Sequence, residues 1–74
     1  MERIVVNPKI LGGKPIIKGT RIAVSLILEW LASGMTPQDI VREYSHLSLK
    51  DIAAATRYAA LLLEKEQVVL KKAS

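Results

Sequence analysis

Residues 36–51 read TPQDIVREYSHLSLKD, and this stretch contains two helix starts. The first is TPQD at residues 36–39, where a threonine can cap the helix, a proline suits the first helical position and an aspartate completes a shortened capping box. The second, SLKD at residues 48–51, repeats the arrangement with a serine. The spacing predicts a short helix, a tight link over residues 45–48 and a longer helix.

A further helix is predicted before this pair, from about Val24 to Ser33, and Gly34 supplies its stop signal. Its apolar residues recur at intervals of three and four, as on one buried stripe. They are Val24, Ile27, Leu28 and Leu31. The three helices together have the outline of a helix-turn-helix unit. Leu26 and Trp30 lie off the stripe, so we expect them to meet another surface.

The first third of the chain has a different texture, because β-branched runs alternate with residues typical of turns. Two short strands are predicted, at about residues 3–6 and 15–18. The fold class is therefore mainly α, with a short N-terminal β-ribbon before the helices. A ribbon this short is marginal in water by itself, so we expect it to pair with a second copy or lie across the helices. The residues predicted for a homodimer contact are Ile4, Val5, Val6, Ile16, Ile17, Leu26 and Trp30.

We expect one domain over residues 1–64, followed by a C-terminal tail over residues 65–74. The tail mixes basic and apolar residues, a composition suited to extending the last helix or to contacting a partner. The residues predicted to bind a partner are Lys65, Val68, Val69, Leu70, Lys71 and Lys72.

Composition limits the chemistry available to the chain of 74 residues. It has no cysteine and one histidine, His46, so neither a disulfide framework nor a metal site within one chain is expected. No apolar run reaches the roughly 20 residues of a bilayer span, and no signal peptide is recognisable, so we expect a cytoplasmic protein without membrane contact. No cofactor is expected either.

The net charge of +4 is confined to residues 1–21, where Glu2 alone opposes the basic side chains. Those side chains are Arg3, Lys9, Lys14, Lys18 and Arg21. A local positive field favours polyanions such as nucleic acid, although ordinary soluble surfaces show the same imbalance.

The last predicted helix has an outer face that can meet DNA. Ser48, Lys50, Ala54 and Arg57 lie opposite its apolar residues, so a helix in the major groove would present them to phosphates and base edges. A solvated helix face explains the same pattern. Arg42 on the preceding helix fits a solvated face and is also a candidate phosphate contact, and Arg21 either clamps a carboxylate within the fold or meets an anion.

No set of residues typical of an enzyme active site is present. GK at residues 13–14 has a proline where a phosphate-binding loop needs serine or threonine. Helix capping and solvation explain Asp39, Glu43 and Asp51. A small enzyme or ligand-binding protein that uses residues 12–21 as an anion loop is the least favoured interpretation.

The string ILGGKPIIKGTRI at residues 10–22, together with LASG at residues 31–34 and HLS at residues 46–48, resembles the prokaryotic domain of unknown function family 433. Ala23 and Ser45 depart from the family pattern, which often has proline at both positions. The resemblance implies a β-ribbon followed by a winged or homeodomain-like helix-turn-helix, usually dimeric. It also implies a function, since members are often encoded beside a PIN-like ribonuclease and are regarded as its antitoxin.

We therefore expect a non-enzymatic, homodimeric antitoxin that binds promoter DNA and neutralises a PIN-like ribonuclease toxin. The residues predicted to contact DNA are Lys50, Arg57, Ser48, Arg42 and Arg21. The alternative is a protein-protein interaction module without DNA binding, which the balanced charge of residues 22–74 favours.

Overall fold

The computed structural model describes residues 2–65 of the chain, which form an antiparallel hairpin followed by three helices. The strands are β1 (Ile4–Val6) and β2 (Pro15–Ile17), and the helices are α1 (Val24–Ala32), α2 (Pro37–Glu43) and α3 (Leu49–Lys65). The predicted fold class, mainly helical with an N-terminal ribbon, is confirmed. Within this part of the chain no helix is long and apolar enough to cross a bilayer.

The hairpin contributes one of its faces to the hydrophobic core. Ile4 pairs with Ile17 across the ladder, and both side chains pack with the helices. Ile16 points to the opposite face because successive side chains of a strand alternate, and it pairs with Ala23 in an isolated bridge just before α1. Of the two isoleucines of β2, Ile17 thus packs in the core and Ile16 lies against the segment before α1.

Both predicted helix caps are present. The Thr36 hydroxyl accepts from the Asp39 N–H at 3.1 Å, and the Asp39 carboxylate accepts from the Thr36 N–H at 2.9 Å. Both hydrogen bonds hold the pKa of Asp39 below its usual value, and the bond from the Thr36 backbone N–H has the larger effect. Two backbone N–H donors at the start of α2, those of Thr36 and Asp39, are thereby satisfied. The helix can therefore begin at Pro37, soon after the turn at Gly34.

The core is aliphatic and joins every element. Three of its most deeply buried large side chains, Ile27, Ile40 and Ile52, come from α1, α2 and α3 in turn, and a fourth, Ile17, comes from β2. Ala55 of α3 is completely buried, which allows α1 to pack closely on α3. The core therefore holds the first two turns of α3 against the rest of the chain and leaves its opposite face in solvent.

Four of the residues predicted for a dimer contact are used inside the chain instead. Ile4, Ile16 and Ile17 are 8%, 1% and 2% exposed, because the hairpin packs on its own helices and on the segment before α1. Trp30 is half-buried and stacks on Tyr44, with 4.3 Å between the ring centroids and 11° between the planes. Ile4, Ile16 and Ile17 are therefore not accessible to a second copy in this arrangement of the chain. A dimer contact through the exposed part of Trp30 stays a prediction.

The remaining residues of that set are accessible. Val6 is 58% exposed, Leu26 is 38% exposed and Val5 is half-buried. They lie on the hairpin and on the first turn of α1, and their contact with a second copy stays a prediction.

Candidate nucleic-acid interface

The start of α3 is anchored by one carboxylate, that of Asp51, which is 8% exposed. One of its oxygens, Oδ2, accepts from the Ser48 N–H at 2.9 Å, and the Asp51 N–H donates to the Ser48 hydroxyl at 3.2 Å. The other oxygen, Oδ1, accepts from the Arg3 guanidinium at 2.9 Å. The predicted capping box is confirmed, and an arginine from the N-terminal segment completes it.

The protonation of Asp51 follows from these contacts. Burial raises its pKa, and the hydrogen bonds from the Ser48 backbone, the Arg3 guanidinium and the Ser48 hydroxyl together outweigh burial, so its pKa lies below the usual value. The carboxylate is therefore ionised at neutral pH and holds Arg3 beside α3.

An open depression lies along this side of α3, and we call it the basic groove. Its volume is about 400 Å³. It is lined by Glu2, Arg3, Lys50, Ala53, Ala54 and Arg57. Two alanines form its floor, where small side chains allow a close approach, and three basic side chains border it. Arg3 uses one of its five N–H donors on Asp51, which leaves donors for another anion.

The structure brings together Lys50 and Arg57, the two α3 residues predicted to contact DNA, and both are exposed. Ser48 lies at the start of the same helix, but its hydroxyl is engaged in the cap. Arg42 is on α2, where it pairs with Asp39 at 3.4 Å while its side chain stays 76% exposed. The predicted set is therefore only partly assembled.

Arg21 lies away from the basic groove. It borders a second depression, of about 400 Å³, between the hairpin and the loop before α1. Thr20 in that loop donates to the Ile17 carbonyl at 2.7 Å and accepts from the Ile22 N–H at 2.9 Å, which sets the turn at Gly19 (φ +80°). A DNA contact by Arg21 would thus belong to a different surface from that of Lys50 and Arg57.

Sequence reasoning missed Arg3 as a member of the interface. Arg3 and Asp51 are 48 positions apart, and no local pattern links such distant residues. The available signal was the acidic residue three positions after Ser48, which identified the cap but not its long-range partner.

Of the residues predicted to bind a partner, Lys65 is exposed at the end of α3. The others, Val68, Val69, Leu70, Lys71 and Lys72, lie outside the described residues. Among residues 2–65 no group of three or more side chains suited to a metal ion is found.

A small helical protein with a basic groove beside a capped helix-turn-helix is the class that this geometry defines. The family described as "Protein of unknown function (DUF433)" matches residues 4–59. The chain belongs to this family.

Two relatives resemble the chain. The crystal structure of a DUF433 member protein from Anabaena variabilis superposes with a TM-score of 0.78 at 27% identity, covering 85% of this chain and 62% of that one. An uncharacterized protein of Archaeoglobus fulgidus is 67% identical over 24 residues, which are 32% of this chain and 67% of the relative. The chain thus spans less than two thirds of the solved protein.

Proposed function

We propose that this chain is a non-enzymatic DNA-binding protein whose α3 meets DNA through the basic groove. The observation that carries the proposal is the convergence of Arg3, Lys50 and Arg57 on one open depression beside the first turns of a capped helix. Phosphate contacts by basic side chains supply most of the affinity of such proteins for DNA.

The floor of the groove favours a duplex over a small ligand. Ala53 and Ala54 carry no donor for a base edge or a substrate, whereas their small size lets a sugar-phosphate backbone approach the helix. Glu2 at the rim opposes an anion, and the three basic side chains outnumber it. Long, flexible side chains around a shallow apolar floor are suited to an extended polyanion.

The finer proposal is that the chain is the cytoplasmic antitoxin of a PIN-like ribonuclease toxin and represses its own promoter. The resemblance to antitoxin-like proteins supports this role, and the mixed basic and apolar composition of residues 65–74 supplies a segment able to meet an acidic active site. DNA and the toxin would then use separate parts of the chain.

A second candidate function is a protein-interaction module without DNA binding. The observation in its favour is the exposed apolar end of α3, where Leu61, Leu62 and Leu63 are 39%, 48% and 60% exposed. Exposed apolar patches on a protein surface mark sites of protein–protein interaction.

The test is the binding of the upstream promoter fragment, measured by fluorescence anisotropy at low salt. We expect the Lys50→Ala/Arg57→Ala variant to bind at least about tenfold more weakly than the parent. The matched control is Lys9→Ala/Lys18→Ala, which removes the same charge from exposed positions outside the groove and should cost less affinity. Equal losses in the two variants would show that net charge, not the basic groove, drives binding.

A further inference from the structure

The apolar side of α3 continues past the end of the core. Ile52 and Ala55 on this side are 2% and 0% exposed, and Ala59 and Leu62 follow at the same helical spacing. Leu62 is 48% exposed although it lies in line with buried residues. The rest of the described chain therefore covers only the first half of this helix side.

Four residues near the end of α3 form a surface that we call the apolar stripe. They are Tyr58, Leu61, Leu62 and Lys65, which are spaced three and four apart and line one depression of about 260 Å³. Tyr58 and Leu62 also line an adjoining groove of about 360 Å³, whose other wall includes Pro15, Val24 and Leu28. An exposed helix face and an apolar groove thus form one continuous surface.

We propose that the apolar stripe is a self-association surface, on which α3 of a second copy packs antiparallel about a two-fold axis between Leu61 and Leu62. This register sets Leu61 opposite the second copy's Leu62, as a two-fold contact requires. It also sets Lys65, the charged member of the stripe, opposite the second copy's Tyr58, where its methylene stem covers the ring and its ammonium meets the ring face.

The charge pattern selects the antiparallel direction. In a parallel pair Lys65 would lie against the second copy's Lys65, and like charges at the same level of a helix pair repel. In the antiparallel pair each lysine meets an aromatic ring at the opposite end. The apolar stripe is therefore complementary to a second copy only when the two α3 helices run antiparallel.

This arrangement leaves both basic grooves available. At about 100° per residue, Lys50 and Arg57 lie about 80° round α3 from the centre of the apolar stripe. A two-fold axis perpendicular to the plane of the two helices carries these faces to the same side of the pair. The inference does not depend on DNA binding, because assembly is measured without nucleic acid.

Single-cysteine variants test the surface directly, since the chain has no native cysteine. We expect Leu62→Cys to form a disulfide-linked dimer in dilute oxidising solution. Leu63→Cys, one position along and about 100° round the helix, and Val6→Cys, on the hairpin, should stay largely monomeric on a non-reducing gel. Efficient crosslinking through Val6 alone would overturn the proposal in favour of pairing between hairpins.

Sedimentation equilibrium of the 74-residue chain gives the second test. Leu62→Glu should raise the dimer dissociation constant by about tenfold or more, whereas Leu63→Glu, which adds the same charge at a more exposed neighbour, should match the parent. Circular dichroism checks that both variants keep their helix content. A monomeric parent at the highest soluble concentration, or an unchanged constant for Leu62→Glu, would overturn the proposal.

Discussion

The Arg3 guanidinium donates a hydrogen bond to the Asp51 carboxylate across 2.9 Å, joining the segment before β1 to the first turn of α3. The same carboxylate caps α3 through Ser48. One side chain thus fixes the start of the helix and also holds a basic residue at the edge of the groove. The position of α3 and the positive charge of the proposed DNA-binding surface therefore both depend on Asp51.

Removing Arg3 should have two measurable effects. Arg3→Ala should lower the free energy of unfolding by about 0.5–1 kcal/mol, because the ion pair is partly exposed and a pair of that kind contributes little. It should also weaken promoter binding, since one basic side chain leaves the groove. Urea unfolding and anisotropy check the two effects, with Lys18→Ala as a control that changes the same charge. A variant as stable as the parent would contradict the structural role of Arg3.

Acidification should remove the contribution of Asp51 to stability. Its pKa lies below the usual 3.8 in the folded protein, so the unfolded chain binds more protons than the folded chain as the pH falls through this region. The stabilisation is complete well above 3.8 and is lost as the pH drops toward the folded pKa. Asp39, whose pKa is also lowered, adds a similar dependence that Asp51→Asn leaves in place.

We therefore expect the difference in unfolding free energy between the parent and Asp51→Asn to be largest near neutral pH and to shrink below about pH 4. Denaturant unfolding of both proteins across that range measures it. A difference that stays constant with pH would show that Asp51 acts through its shape rather than its charge.

Local signals predicted the elements of this fold well. The residues at 36–39 and 48–51 carry their capping partners within one helical turn, so both helix starts could be read from neighbours in sequence. The predicted strands at 3–6 and 15–18 and the first helix at 24–33 each fall within a residue of the observed bounds. Such signals depend on hydrogen bonds between residues a few positions apart.

Contacts between distant residues were not predictable in the same way. Trp30 lies outside the row of inward-facing apolar residues on α1. No residue near it in the sequence indicates that Tyr44, at the end of α2, will stack on its ring. Ile16 and Ile17 read as a strand, but the pattern does not say that both faces of the strand become buried. Arg3 was treated only as a charge, because its partner Asp51 lies 48 positions away in the sequence.

A substitution at Trp30 tests the stability of the fold separately from the proposed self-association. Trp30→Leu should lower the free energy of unfolding by about 0.5–1.5 kcal/mol, the usual contribution of an aromatic pair, because Tyr44 no longer has a ring to stack on. It should leave the dimer dissociation constant unchanged. Denaturant unfolding and sedimentation equilibrium measure the two quantities, and a dimer weakened along with the fold would instead place Trp30 in the dimer interface.

The antitoxin proposal predicts that two variants have opposite effects on nuclease binding and promoter binding. If a PIN-like nuclease is encoded beside the gene, deleting residues 66–74, which leaves Lys65 of α3 in place, should abolish binding to that nuclease and relieve inhibition of its RNase activity, while promoter binding is retained. Lys50→Ala/Arg57→Ala should show the reverse, with the nuclease inhibited and the promoter released. Inhibition by the shortened chain at the same concentration as the parent would contradict a role for the tail.

The central claim is that the basic groove of α3 neutralises DNA phosphates, and the salt dependence of promoter binding tests it most directly. For the parent, the logarithm of the binding constant should fall linearly with the logarithm of salt concentration. Its slope should be about −0.9 for each phosphate neutralised, and Lys50→Ala/Arg57→Ala should make the slope shallower by about 0.9 for each phosphate that the variant no longer neutralises. A parent whose binding does not change with salt, or a double variant with the parent's slope, would contradict the claim.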